Sequence, residues 1–156
     1  MVTEETWNII SRSNIFRGLT KSEFDIVSNH SSEINYQQND IIVTENQKTV
    51  ALYVILSGKV EVFLPKQSTV RRFSPIKLNV LSQGSFFGEY SLIDTEPASA
   101  SVQAIEPSIL FKITKNDFEK LVGSNDRIGK IIYNNLLKEL IKRIRNKDKE
   151  LDLFLA

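Results

Sequence analysis

Residues 81–104 read LSQGSFFGEYSLIDTEPASASVQA, and this stretch decides the fold. The turn residues Gln83–Gly84–Ser85 separate an apolar run ending at Leu81 from the aromatic pair Phe86–Phe87. Phe87 to Asp94 breaks the alternation around it and predicts a single short helix set between two strands. Strand-forming residues return at Ser101–Ala104. Gly88 allows close approach of backbone to a ligand, and a helix opening behind it presents unpaired N–H groups and the positive end of a dipole.

Working outward, residues 39–64, NDIIVTENQKTVALYVILSGKVEVFL, carry three further β-type runs at Ile41–Val43, Ala51–Leu56 and Val60–Leu64. Lys77–Leu81 and Ile109–Ile113 complete the set. Asn39–Asp40, Glu45–Asn46, Ser57–Gly58 and Glu106–Pro107 supply the turns between them. Many short strands at close spacing predict a closed or two-layered antiparallel structure rather than βαβ units. The fold class is therefore mostly β with flanking helices: an antiparallel β-roll of the double-stranded β-helix or jelly-roll type.

Helical spacing brackets the roll. Short helices are expected over about 3–11 and 21–30, the second opened by the capping-box pair Thr20 and Glu23. Thr114 caps a helix carrying Phe118, Leu121 and Val122, which Gly123 is expected to end. A long helix follows over about 126–150 with two apolar stripes. Ile128, Ile132 and Leu136 can pack on the roll, whereas Tyr133, Leu137, Leu140, Ile144 and Leu151 have seam spacing, interrupted at Lys147. The chain thus divides into a helical lead-in (1–32), a roll (33–113) and C-terminal helices (114–156), forming one domain over 1–156.

Composition agrees with this. A chain of 156 residues with 41% hydrophobic and 25% charged residues can bury a core, and a net charge of +1 gives no strong field for nucleic acid or a membrane. The absence of cysteine excludes thiolate catalysis and cysteine metal sites and fits a reducing compartment. No apolar run approaches the ~20 residues of a membrane span. A cytoplasmic location with no membrane association is the expectation. His30, the one histidine, has no visible co-ligands, and no nucleophile–base–acid set or P-loop pattern stands out, so an enzyme is not expected.

The two blocks, residues 39–64 and 81–104, resemble the opening hairpins and the phosphate-binding cassette of the cyclic-nucleotide-binding domain family, which includes catabolite activator protein and the protein kinase A regulatory subunits. Gly58 in LSGKV and Phe87–Gly88–Glu89 after Gly84 are the most specific points, and the flanking helices extend the resemblance over nearly the whole chain. It implies a regulatory domain with its cassette at 84–101. Gly88 matches the family glycine and Glu89 the carboxylate that accepts a ribose 2′-hydroxyl, while Tyr90 and Ser91 open the short helix. The family's Pro-Arg-[Ala/Ser]-Ala-[Thr/Ser]-Val corresponds to Pro97–Ala98–Ser99–Ala100–Ser101–Val102. Ser99 and Ser101 keep hydroxyls, but the arginine that pairs with the cyclic phosphate is Ala98.

The implied ligand-binding set is Gly88, Glu89, Tyr90, Ser91, Ala98, Ser99 and Ala100, with no catalytic or metal residue and no cofactor other than a cyclic nucleotide or related small-molecule ligand. Removing a charge-assisted bidentate contact costs several kcal/mol, so binding of cyclic AMP is expected to be weak, altered or absent. Arg71, Arg72, Lys77 and Lys112 are candidate substitutes, although a hairpin loop also carries arginines for solubility. Glu89 could equally cap backbone amides. Where the family prefers glycine in turns the chain has Asn39 and Asn46, which tolerate left-handed backbone, and Thr49, which fits such a turn less well.

Two functional classes stay open: a ligand-sensing regulatory module, and an interaction module that forms a homodimer through the 126–151 helix. That helix carries a net charge of +4 over 126–150, read as a solvated face. With six residues after Glu150, no DNA-binding helix-turn-helix is expected in this chain. The tail 151–156 is a candidate to fold back into the pocket.

Overall fold

The structure, a computed structural model, describes residues 3–48, 51–67 and 72–155. Two short helices, α1 (Glu4–Ile10) and α2 (Lys21–Ser28), precede strands β1 (Ser32–Tyr36), β2 (Ile41–Val43), β3 (Ala51–Ser57), β4 (Val60–Leu64), β5 (Ile76–Leu81) and β6 (Phe86–Phe87). The one-and-a-half-turn helix α3 (Glu89–Asp94) follows, then β7 (Ser101–Ala104), β8 (Ser108–Thr114), α4 (Lys115–Ser124) and α5 (Asp126–Leu155). The strands form two four-stranded antiparallel sheets with orders β1-β8-β3-β6 and β2-β7-β4-β5. This is the expected β-roll with helices before and after it.

The run ALYVIL in β3 is buried at every position because the strand lies between two cores. One face joins Phe16, Phe24, Phe111, Phe118 and Leu121, with Ile128, Ile132 and Leu136 of α5, between the first sheet and the helices. The other joins Val43, Val60, Phe87, Ala98, Val102 and Leu110 inside the roll. A strand buried on both faces loses the polar–apolar alternation of a half-exposed one. Phe87 belongs to this inner core through β6 and stacks on Tyr53 at 5.0 Å; it pairs with β3 rather than starting the helix. Strand β1, which shows weak alternation, forms by pairing with β8 from Ser32↔Lys112 to Tyr36↔Ser108.

Local chemistry sets the ends of the helices. Thr20 and Glu23 make the reciprocal capping box, and the Thr114 hydroxyl accepts the Asp117 N–H. Asn39 and Asn46 adopt positive φ of 75° and 64°, whereas Thr49 lies outside the described residues. Gly58 has φ +86°, and a Cβ there would collide with Pro107 and Ser108, so this turn admits only glycine. Two expectations need correction. Gly123 does not end α4, which continues through Ser124 to a non-helical Asn125. Helix α5 continues to Leu155, so residues 151–155 prolong it as an exposed turn and do not fold back into the roll; Ala156 is outside the described residues. Among the described residues, no helix is long and apolar enough to cross a membrane.

Candidate functional site

The cassette shapes one wall of a cavity of about 330 Å³ between the second sheet and α5. Gly88, with φ +87°, turns the chain from β6 into α3 where its Cα lies against the Ala51 carbonyl, leaving no space for a Cβ. Thr95, a β-branched residue at φ +64°, ends the helix, and this strained conformation returns the chain toward β7. The return segment is held at Ala98, whose N–H donates to the Gln47 carbonyl at 2.9 Å and whose carbonyl accepts the Asn46 N–H at 2.8 Å. The β2–β3 turn thereby fixes the height of Ala98 over the cavity.

All seven residues expected at the site, Gly88, Glu89, Tyr90, Ser91, Ala98, Ser99 and Ala100, line this one cavity. Ser101 does not; its buried hydroxyl accepts the Glu45 N–H at 2.9 Å and so serves the turn. The rest of the lining is mainly apolar, including Val43, Val62, Leu78, Leu81 and Val102. Ala98 is 8% exposed and brings only a methyl group.

The substitutes considered for the absent arginine lie elsewhere. Arg72 is no mere solubility residue: its two terminal nitrogens donate to Glu45 at 2.9 and 3.2 Å, and Nη1 also reaches the Pro65 carbonyl. Lys77 pairs with Glu61 at 2.8 Å, and Lys112 sits over the Tyr53 ring. Arg71 is outside the described residues.

Positive charge comes instead from α5, through Arg143 and Lys147, both of which line the cavity. Arg143 donates to the Glu89 carboxylate and lies 3.4 Å from the Tyr90 hydroxyl, with its guanidinium over the Phe86 and Tyr90 rings. Burial pulls the Arg143 pKa down, but the charge of Glu89 and hydrogen bonds with Tyr90 and Glu89 outweigh it and hold the group above its ordinary value. Glu89 is buried, and its carboxylate is met by this guanidinium. The α5 face read as solvated is therefore partly committed to the cassette. The available signal was the four-residue spacing of Arg143 and Lys147, which places both on one face of a helix.

The chain can be set beside known proteins on this geometry. Residues 33–125 match the family model described as the cyclic nucleotide-binding domain. The cyclic AMP receptor protein of Thermus thermophilus is 33% identical over 141 residues, covering 90% of this chain and 62% of that protein. A cGMP-dependent protein kinase of Eimeria tenella is 27% identical over 139 residues, 89% of this chain but 13% of the kinase. The crystal structure of Thermus thermophilus catabolite activator protein superposes with a TM-score of 0.78 at 32% identity, covering 91% of this chain and 63% of that one. A cyclic nucleotide-binding domain from Methylobacillus flagellatus has the same fold, with a TM-score of 0.80 at 22% identity. The chain thus spans about three fifths of the bacterial relative it matches and about an eighth of the kinase. The matched unit is a binding module rather than a catalytic one, and the chain belongs to the cyclic nucleotide-binding domain family.

Proposed function

We propose that this chain is a non-enzymatic regulatory and sensor module whose cavity takes a small nucleotide-class ligand, with cyclic nucleotides held weakly. The observation that carries this reading is Ala98 at the cavity wall, flanked by Ser99 and Ala100, where a charged side chain would otherwise meet a cyclic phosphate. Glu89 would accept ligand hydroxyls, and Gly88, Tyr90 and Ser91 would shape the adjoining wall. The Glu89–Arg143 contact supports α5 as the output element, because a ligand competing for the carboxylate alters what holds the helix to the roll. The reading extends to a single domain over 1–156 acting in the cytoplasm. Isothermal titration with cyclic AMP and cyclic GMP tests it. Weak binding is expected, and affinity at or tighter than micromolar for either would overturn it.

A second reading, a homodimer through α5, is favoured by the outward face of that helix. Leu137, Ile141 and Ile144 are each at least half exposed. Leu140 is half-buried, so the unpartnered stripe runs through Ile141 instead. Light scattering of the wild type against Leu137→Glu tests it: a concentration-dependent dimer lost in the variant is expected, and a wild-type monomer at all concentrations would remove it.

A further inference from the structure

We propose that Lys147 supplies the positive charge that Ala98 lacks, so that an anionic ligand is held from α5 rather than from the cassette. The inference rests on the reading of the cavity as a nucleotide-class site. The only charged side chains lining the cavity, among the described residues, are Glu89, Arg143 and Lys147. Arg143 is matched by Glu89, and together they are neutral. Lys147 makes no ion pair among the described residues. The cavity therefore keeps one uncompensated positive charge despite the cassette's alanine.

Its position within α5 supports the same conclusion. Lys147 lies one turn beyond Arg143 on the same helix. Two like charges four residues apart on a helix repel each other. Glu89 relieves Arg143, whereas the solvent-exposed Lys147 has, among the described residues, no carboxylate within ion-pair distance to relieve it. A bound anion would. An ammonium on a flexible stem is a point charge without the paired donors of a guanidinium, so the attachment is weaker and more sensitive to salt than an arginine contact. Binding of an anion here would also join α5 to the ligand directly, alongside its link through Glu89.

Isothermal titration with cyclic AMP and with uncharged adenosine, on the wild type, Lys147→Gln, Ala98→Arg and the double variant, tests this. Lys147→Gln is expected to weaken cyclic AMP about three- to tenfold and to leave adenosine unchanged, since a partly exposed charge pair lies between a surface ion pair and a charge-assisted hydrogen bond. In the Ala98→Arg background the same change is expected to matter less than about twofold, because the cassette arginine then takes the anion. Equal loss for both probes, or for neither, would overturn the role of Lys147 while leaving the nucleotide reading in place. A wild type that binds neither probe, beside an Ala98→Arg variant that binds cyclic AMP, would overturn it too. Failure of every variant to bind either probe would overturn the nucleotide reading itself.

Discussion

Replacing Ala98 by arginine should convert a weak cyclic nucleotide site into a strong one. Ala98 is nearly buried at the cavity wall, and its backbone is fixed from both sides by Asn46 and Gln47, so a longer side chain at this position starts from a defined base. A guanidinium meeting a phosphate makes two parallel charge-assisted hydrogen bonds, each worth about 1.5–3 kcal/mol. Ordering the side chain subtracts up to about 2 kcal/mol. A net gain of roughly 2–3 kcal/mol corresponds to a roughly 30- to 150-fold lower Kd for cyclic AMP. Ala98→Lys should gain less, having no fork of donors, and Ala98→Gln should gain little. Titration calorimetry on the three variants measures the effect, with circular dichroism to show that each is folded. Saturating cyclic AMP at about 100 times Kd should add about 2.7 kcal/mol of stability to the arginine variant. That corresponds to a melting shift of roughly 5–10 °C for a chain of this size. A folded Ala98→Arg variant whose affinity stays within about threefold of the wild type would refute the reasoning that charge at this wall limits binding.

Other consequences follow from single residues. Arg72→Ala removes a bidentate pair with Glu45 whose side chains are 15% and 9% exposed, and should cost roughly 2 kcal/mol or about 4–8 °C in Tm; a change below about 1 °C would contradict this. Gly88→Ala forces a Cβ against the Ala51 carbonyl at φ +87°, which should cost at least about 2 kcal/mol in a urea titration; an unchanged midpoint would show that the turn relaxes. Burial first, then the neighbouring Tyr36 through its charge and its hydrogen bond, pushes the Tyr53 hydroxyl up to about 12. The folded state therefore prefers the neutral phenol, a contribution that is full below about pH 10 and lost as pH rises toward 12. Tyr53→Phe should flatten the alkaline fall in Tm over that window, and an identical profile would refute the assignment.

Much of the fold was legible because its determinants are local and periodic. The strands at 41–43, 60–64 and 101–104 and the Thr20 and Thr114 caps depend on neighbours a few residues apart. So does the inner stripe Ile128–Ile132–Leu136, whose spacing alone places it on one helix face. Strand β6, two residues long, has no period to read and exists through its pairing with β3. The convergence of Gly88 to Ser91 with Ala98 to Ala100 on one cavity was accessible only through the resemblance of residues 81–104 to the family cassette, since β6 and β7, on either side of the short helix, lie in different sheets.

The charge of the site was not readable in this way. Glu89 and Arg143 are 54 residues apart, and Glu45 and Arg72 are 27 apart. A basic residue on an amphipathic helix has the same local pattern whether it faces water or a buried carboxylate. The sequence by itself determined the roll, its cassette and the methyl group at 98. The packing of α5 across the cavity decided that Glu89 meets Arg143 and that Lys147 stands at the wall, because a long-range charge pair is selected by where the packed apolar faces place the helix rather than by any spacing along the chain.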